Sequence, residues 1–219
     1  MLPTDSGNDT TKGRRLLQVG IAAPVVFAVV IVVAGQLEPG YSHASQFVSE
    51  LGAIGATHRK LFSYGGLFLP GLLTVAFALG MYLLVRPRPW LVASSLLAAL
   101  AGFGRMTGPF FPCDAGCAID DMSFSAMVHS LVGFMALMSG ALAPLVLAIG
   151  LRGQRRSRLW WLSAGLGGWP LVLVFVMFGF AKTLSFVGVI QRIVLAAFYT
   201  WVVAVALNAD ALQGQPADV

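Results

Sequence analysis

Residues 16–37, from Leu16 to Leu37, read LLQVGIAAPVVFAVVIVVAGQL and carry no charged side chain. A helix of that length is about 33 Å long, enough to cross a hydrocarbon core of about 30 Å. Lys12, Arg14 and Arg15 stand just before it. The run is longer than the apolar region of a secretory signal, and its small residues do not form a convincing cleavage site. It is therefore expected to stay in place as a signal anchor.

Five similar runs follow: Leu61 to Val85, Trp90 to about Phe111, Phe124 to Leu151, Leu159 to Ala181 and Phe186 to Leu207. The break Lys182-Thr183-Leu184-Ser185 separates the last two. Of the 219 residues, 58% are hydrophobic and only 11% charged, whereas soluble domains carry about 25% charge. Too little polar surface is left to face water. The expected fold is all-α, a polytopic bundle of six transmembrane helices over residues 15–208. Tails 1–14 and 209–219 flank it, and membrane lipids surround it.

A net charge of +5 would suggest nucleic acid in a soluble protein. Here the basic residues sit in short blocks beside apolar runs, so no nucleic-acid surface is expected. Lys12, Arg14, Arg15, Arg86, Arg88, Arg152, Arg155, Arg156 and Arg158 fall on one side of the predicted membrane, nine of the fourteen Lys and Arg. The opposite connections hold Arg59, Lys60 and Lys182. Cytoplasmic loops are enriched in Lys and Arg, so both termini are expected in the cytoplasm.

The acids sort differently. Asp5, Asp9, Asp210 and Asp218 lie in the tails, while Glu38, Glu50, Asp114, Asp120 and Asp121 all lie in the outward connections. His43, His58 and His129 fall on or near that side. Acids contribute little to topology, so a site on the outer side is one explanation and a plain solvated face is the other.

Within the first outer connection, residues 42–51 read as a short amphipathic helix capped by Ser42 after the Pro39-Gly40 turn. Phe47, Val48, Leu51 and Ile54 would share its apolar face, and His43, Gln46 and Glu50 another strip. Such a helix can act as a lid or lie passively at the interface. The second outer connection holds both cysteines, Cys113 and Cys117. An oxidising compartment favours a disulfide between them. Zinc would need deprotonated thiols outside the cell and a different ligand spacing, so no metal is expected.

Arg105 and Arg192 lie inside predicted spans. Such charges are costly and normally face the bundle interior with a partner, for which Glu50, Asp114, Asp120 or Asp121 qualify by depth. Glu50, Arg105, Asp114, His129, Gln191 and Arg192 are thus expected around one outer-half cavity, or in a buried ion-pair network that fixes helix packing.

Val48-Ser49-Glu50-Leu51-Gly52, Phe111-Pro112-Cys113-Asp114, His129 and Gly188-Val189-Ile190-Gln191-Arg192 resemble the spaced motifs of a prokaryotic six-helix membrane family, domain of unknown function 998. The resemblance implies a six-helix bundle in a bacterial or archaeal plasma membrane and supplies no activity. More distantly the pattern is similar to the Frag1/DRAM/Sfk1 group, whose links to lipid remodelling and autophagy enter as analogy only.

Four functions compete. A lipid or amphiphile handler would use Arg105, Arg192, Gln191, Glu50 and His43 to hold an anionic headgroup. An intramembrane hydrolase or transferase would use His129 with Asp114 or Glu50 as general base, or the three to hold a metal with one open position, although there is no HExxH or Gly-x-Ser-x-Gly pattern. A small transporter would need an ion path, yet the charges gather at one end and no inverted repeat stands out. A scaffold would use small-residue spacings such as Ala76 with Gly80 or Ala164 with Gly168. No phosphate-cradling, dinucleotide or haem-attachment motif occurs, so no cofactor is expected.

Overall fold

The computed structural model describes residues 6–85, 88–118, 120–154, 157–181 and 183–213. Among the residues weighed for orientation or charge sorting, Asp5, Arg86, Arg155, Arg156, Lys182 and Asp218 lie outside these ranges. Six described helices are long and apolar enough to cross a membrane, and the chain is an all-α polytopic bundle.

The first span is α1 (Ser6–Gly20) followed directly by α2 (Ala22–Leu37). Pro24 has no N–H to give the preceding turn, so a helical hydrogen bond is lost near Ile21 while its backbone keeps helical angles, φ −62° and ψ −25°. The second span opens with a π-helical segment, Leu61–Phe68, that runs into α3 (Leu69–Val85). The third is α4 (Pro89–Met106), the fourth α5 (Phe124–Gly150), the fifth α6 (Arg158–Gly179) and the sixth α7 (Val187–Leu207). A short α8 (Ala209–Gln213) follows. Ser123 and Ser157 accept from the N–H of Ala126 and Trp160, both at 3.2 Å, and so set the starts of α5 and α6.

Consecutive spans are neighbours, and α7 closes the ring against α1 and α2 while also touching α5. Of the apolar stretch of α7, 61% is buried, against 28% for the first and fifth spans, so α7 is the central strut. Lipid tails are as apolar as these side chains, so close packing must hold the spans together. A Cβ at Gly71 would stand 2.6 Å from the Gly102 carbonyl, and one at Gly80 2.7 Å from that of Gly13. Both glycines let backbones touch within one chain, and Gly80 belongs to the Ala76/Gly80 small-residue spacing, which here serves packing between helices of the same chain. Trp201, Phe77, Met81 and Leu147 fill the centre with no exposed surface. Both described chain ends meet at one end of the bundle, where Arg14 pairs with Asp210 and Arg88 donates to the Leu212 carbonyl.

Two local expectations change. The third span ends at Met106, not near Phe111, because Gly108 and Pro109 stop it. Phe110 and Phe111 N–H instead turn back to the Thr107 carbonyl. The helix in the first connection covers only Val48–Gly52, as a 3-10 turn. Ser42 Oγ accepts from the Ser45 N–H at 3.4 Å at the start of a separate single turn, while Gln46 Oε1 takes the Ser42 N–H and Glu50 takes that of Phe47. One turn does form, with Gln46 N–H on the Ser42 carbonyl at 3.0 Å, but the Glu50 side chain takes the next N–H, that of Phe47, and the turn does not continue as a helix.

Candidate functional site

The early end of α4 shapes the site. Gly104 packs against Ala136 and Val132 of α5, so α5 overshoots α4 by about 12 Å at the cysteine end, from Phe124 to Val132. The chain from Thr107 to Ala118 folds into part of the space left open. A cavity of about 330 Å³ occupies another part. Its roof is Phe47, Val48 and Ser49 of the 3-10 turn, and Cys113 and Cys117 stand beside them. The two cysteines form a disulfide. Gly116, at φ +66°, supplies the left-handed turn between them.

Of the six residues expected together, three line this cavity: Arg105, His129 and Gln191. Arg105 is only 7% exposed. Its side chain runs back along α4, as helical side chains do, and one N–H donates to the Ala101 carbonyl at 3.1 Å. It therefore does not reach up to the loops. The guanidinium carbon lies 4.9 Å from the centre of the Phe198 ring and 5.2 Å from that of Tyr199. No carboxylate of a described residue forms an ion pair with Arg105 or Arg192. Arg105 nitrogens other than the one on Ala101 have no hydrogen-bond partner among the described residues, yet none is closed off, so they face the cavity.

His129 sits between the mouth and Arg105. Its Nδ1 lies 2.9 Å from the Phe111 carbonyl, which can only accept, so Nδ1 carries the proton and Nε2 presents a lone pair. Gln191 gives its Oε1 to the Val48 N–H at 2.6 Å, leaving its amide N–H groups for other partners. The remaining wall is largely apolar, with Phe27, Leu67, Leu137, Met177 and Leu195.

Glu50, Asp114, Arg192 and His43 lie outside that cavity. Glu50 accepts from Phe47 N at 2.8 Å and from Gln46 Nε2 at 2.7 Å. Asp114 braces the start of α5, accepting from Ser123 N and Oγ, both at 2.8 Å. Those two bonds hold its carboxyl below the usual carboxylate range. Neither acid orients His129.

Arg192 instead straps the first connection to α7. It donates to Gln46 O at 3.2 Å, Gly188 O at 3.0 Å, Tyr41 Oη at 2.6 Å and His43 Nδ1 at 2.9 Å. Val189 N–H adds a bond to Ala44 O at 3.1 Å. A Cβ at Gly188 would lie 2.3 Å from Gln46 O, so only glycine admits this approach. Tyr41 was not singled out from the sequence, yet it donates on to Phe47 O at 3.0 Å and completes the strap. Phe198, the platform for Arg105, shares the Gln191 and Leu195 face of α7. That i, i+4, i+7 spacing was visible, but nothing in it pointed to an arginine on α4.

The described residues contain no group of three or more His, Cys, Asp and Glu able to hold a metal. In comparisons with known proteins, the model of the family described as protein of unknown function (DUF998) matches residues 21–208. No curated protein and no solved structure matches, and the more distant Frag1/DRAM/Sfk1 resemblance has no counterpart among these findings.

Proposed function

We propose that this chain, which belongs to the DUF998 family, binds an anionic amphiphile in the cavity beside Arg105. It would do so in a plasma membrane of bacterial or archaeal type, with both termini cytoplasmic and the cavity in the outer half. One observation carries the reading: a 93%-buried arginine on an apolar cavity wall, with no carboxylate of a described residue to neutralise it. An unpaired buried ion is penalised by several kcal/mol even after relaxation. Two aromatic faces and one carbonyl return part of that, at roughly 0.5–2 kcal/mol for a cation–π contact. An incoming anion would supply the rest. The basic residues gathered at the end where the chain termini meet support the orientation.

Native mass spectrometry of protein extracted in a mild nonionic detergent tests the reading. The wild type should carry an added anionic amphiphile and Arg105→Met should not. Equal retention by both proteins would overturn it.

His129 keeps a hydrolase or transferase reading in view, because it lines the same cavity and its Nε2 is left with a lone pair. Asp114 and Glu50 are both engaged elsewhere, so such an enzyme would work without the carboxylate that usually orients a catalytic histidine. A transport path has less support, since Trp201, Phe77 and Met81 are fully buried in the bundle core.

A further inference from the structure

The cavity is a shaft. Its wall on α5 runs from Ala126 through His129, Gly133 and Ala136 to Leu137, about 16 Å along the helix at 1.5 Å per residue. A volume of about 330 Å³ stands at the small end of ligand pockets, about 300–1,000 Å³, so its capacity suits one chain of moderate length and falls short of the two chains of a diacyl lipid.

Its polarity is graded. Gln191 and the roof residues lie near the mouth. Arg105 lies deep, over Phe198 on α7, two turns beyond Gln191. Among the lining residues that are described it is the one Lys or Arg, so a single negative charge balances it. A phosphate monoester carries about −1.5 to −2 and would leave excess charge among apolar walls. A carboxylate carries one charge and matches the guanidinium fork with two oxygens. Tail-first insertion would press methyl groups against an unpaired cation. Of the lining residues, Ala118 and Phe178 are exposed, which places the opening toward the loop end of α6. A Cβ at Gly133 would meet nothing within 4 Å, so the shaft is unobstructed there.

We infer that the occupant is a linear, single-chain carboxylate that enters head-first, its carboxylate on Arg105 and its chain passing Gly133 toward the mouth. This rests on the reading of the cavity as a ligand site and adds the number of chains, the headgroup and the direction of entry. Gly133 then sets how long a chain the shaft accepts.

Displacement of tritiated dodecanoate from the full-length protein in neutral-detergent micelles tests it. Dodecanoate should compete at least tenfold better than dodecyl phosphate, dodecanol or a two-chain phosphatidate. Across a series of alkanoates, affinity should rise with length and level off once the chain outruns the shaft. Gly133→Leu should weaken dodecanoate at least tenfold while leaving hexanoate within threefold, and Gly133→Ala should fall between. Helicity and elution volume would show that both variants fold. Equal competition by phosphatidate or dodecyl phosphate, or a length profile unmoved by Gly133→Leu, would overturn the inference while Arg105-dependent binding still stood. Loss of all Arg105-dependent binding would remove the ligand site itself.

Discussion

Arg192 Nη2 lies 2.9 Å from Nδ1 of His43, so this bond of the strap over the cavity roof holds only while that ring nitrogen keeps its lone pair. Protonating His43 would remove the acceptor and set a second cation against the first. Burial, and then the neighbouring guanidinium, push the His43 imidazole below its ordinary value of 6.5. Tyr41, Arg192 and, at longer range, Glu50 are the other charged or titratable groups around the strap.

The sign for pH follows from that direction. A histidine whose folded value is depressed contributes stability that is complete above about pH 6.5 and lost as pH falls through the lower folded value. Hydrogen exchange across residues 41–53, corrected for intrinsic rates, should therefore speed up several-fold between pH 7.5 and 5. In His43→Gln, whose amide does not titrate, that acceleration should be absent. Unchanged protection in the wild type at pH 5 would show that the ring does not hold the strap.

Gly188 offers a steric test of the same contact. Ala at this position would drive its Cβ toward the Gln46 and His43 carbonyls, 2.3 and 2.7 Å away. These are backbone atoms and cannot swing aside. Gly188→Ala should lower stability by roughly 1–3 kcal/mol, as overpacking does, and should raise exchange in the first connection. Gly165, whose Cβ would meet nothing within 4 Å, is the control. Gly165→Ala should leave the melting temperature unchanged or slightly raised.

The spans were legible because apolar runs of the right length leave no alternative to helices in lipid, and α7 and the second span begin and end within a residue of expectation. The missed end of α4 has a local cause, since Phe110 and Phe111 are apolar enough to prolong a hydropathy run that Gly108 and Pro109 interrupt in the backbone. The candidate site was half legible. Composition and position marked Arg105, His129, Gln191 and Arg192 as unusual, and three of them share a cavity. Pairing was not legible, because short-range acceptors won. Ser123 took Asp114, Gln46 and Phe47 took Glu50, and carbonyls, a phenol and rings took the arginines. Depth along a span ranks partners, but only the folded loops decide which acceptor arrives first.

The Cys113–Cys117 bridge bears on both stability and orientation. Closing so short a loop contributes about 2 kcal/mol in the chain-entropy account. Cys113→Ser with Cys117→Ser should lower the unfolding midpoint accordingly, and reductant should lower the wild type but not the double variant. In intact cells, a membrane-impermeant maleimide should label the wild type only after treatment with an impermeant reductant. Labelling that requires cell lysis would place the cysteine end in the cytoplasm and reverse the proposed topology.

Arg105 separates a ligand site from a packing device most sharply. If its purpose were to fasten the bundle, replacing it with Met, of similar length, should destabilise the protein. Yet it makes no ion pair with a described carboxylate, and exchanging a buried ion for a well-packed apolar side chain is often neutral or stabilising by about 1–4 kcal/mol. The ligand-free Arg105→Met protein should therefore melt at or above the wild-type temperature. Added dodecanoate should raise the wild-type midpoint, as any ligand of the native state does, and leave the variant where it was. Arg105→Lys keeps the charge but loses the fork and the flat stacking face on Phe198, so its shift should be intermediate. A variant that melts well below the wild type without ligand would assign Arg105 to helix packing.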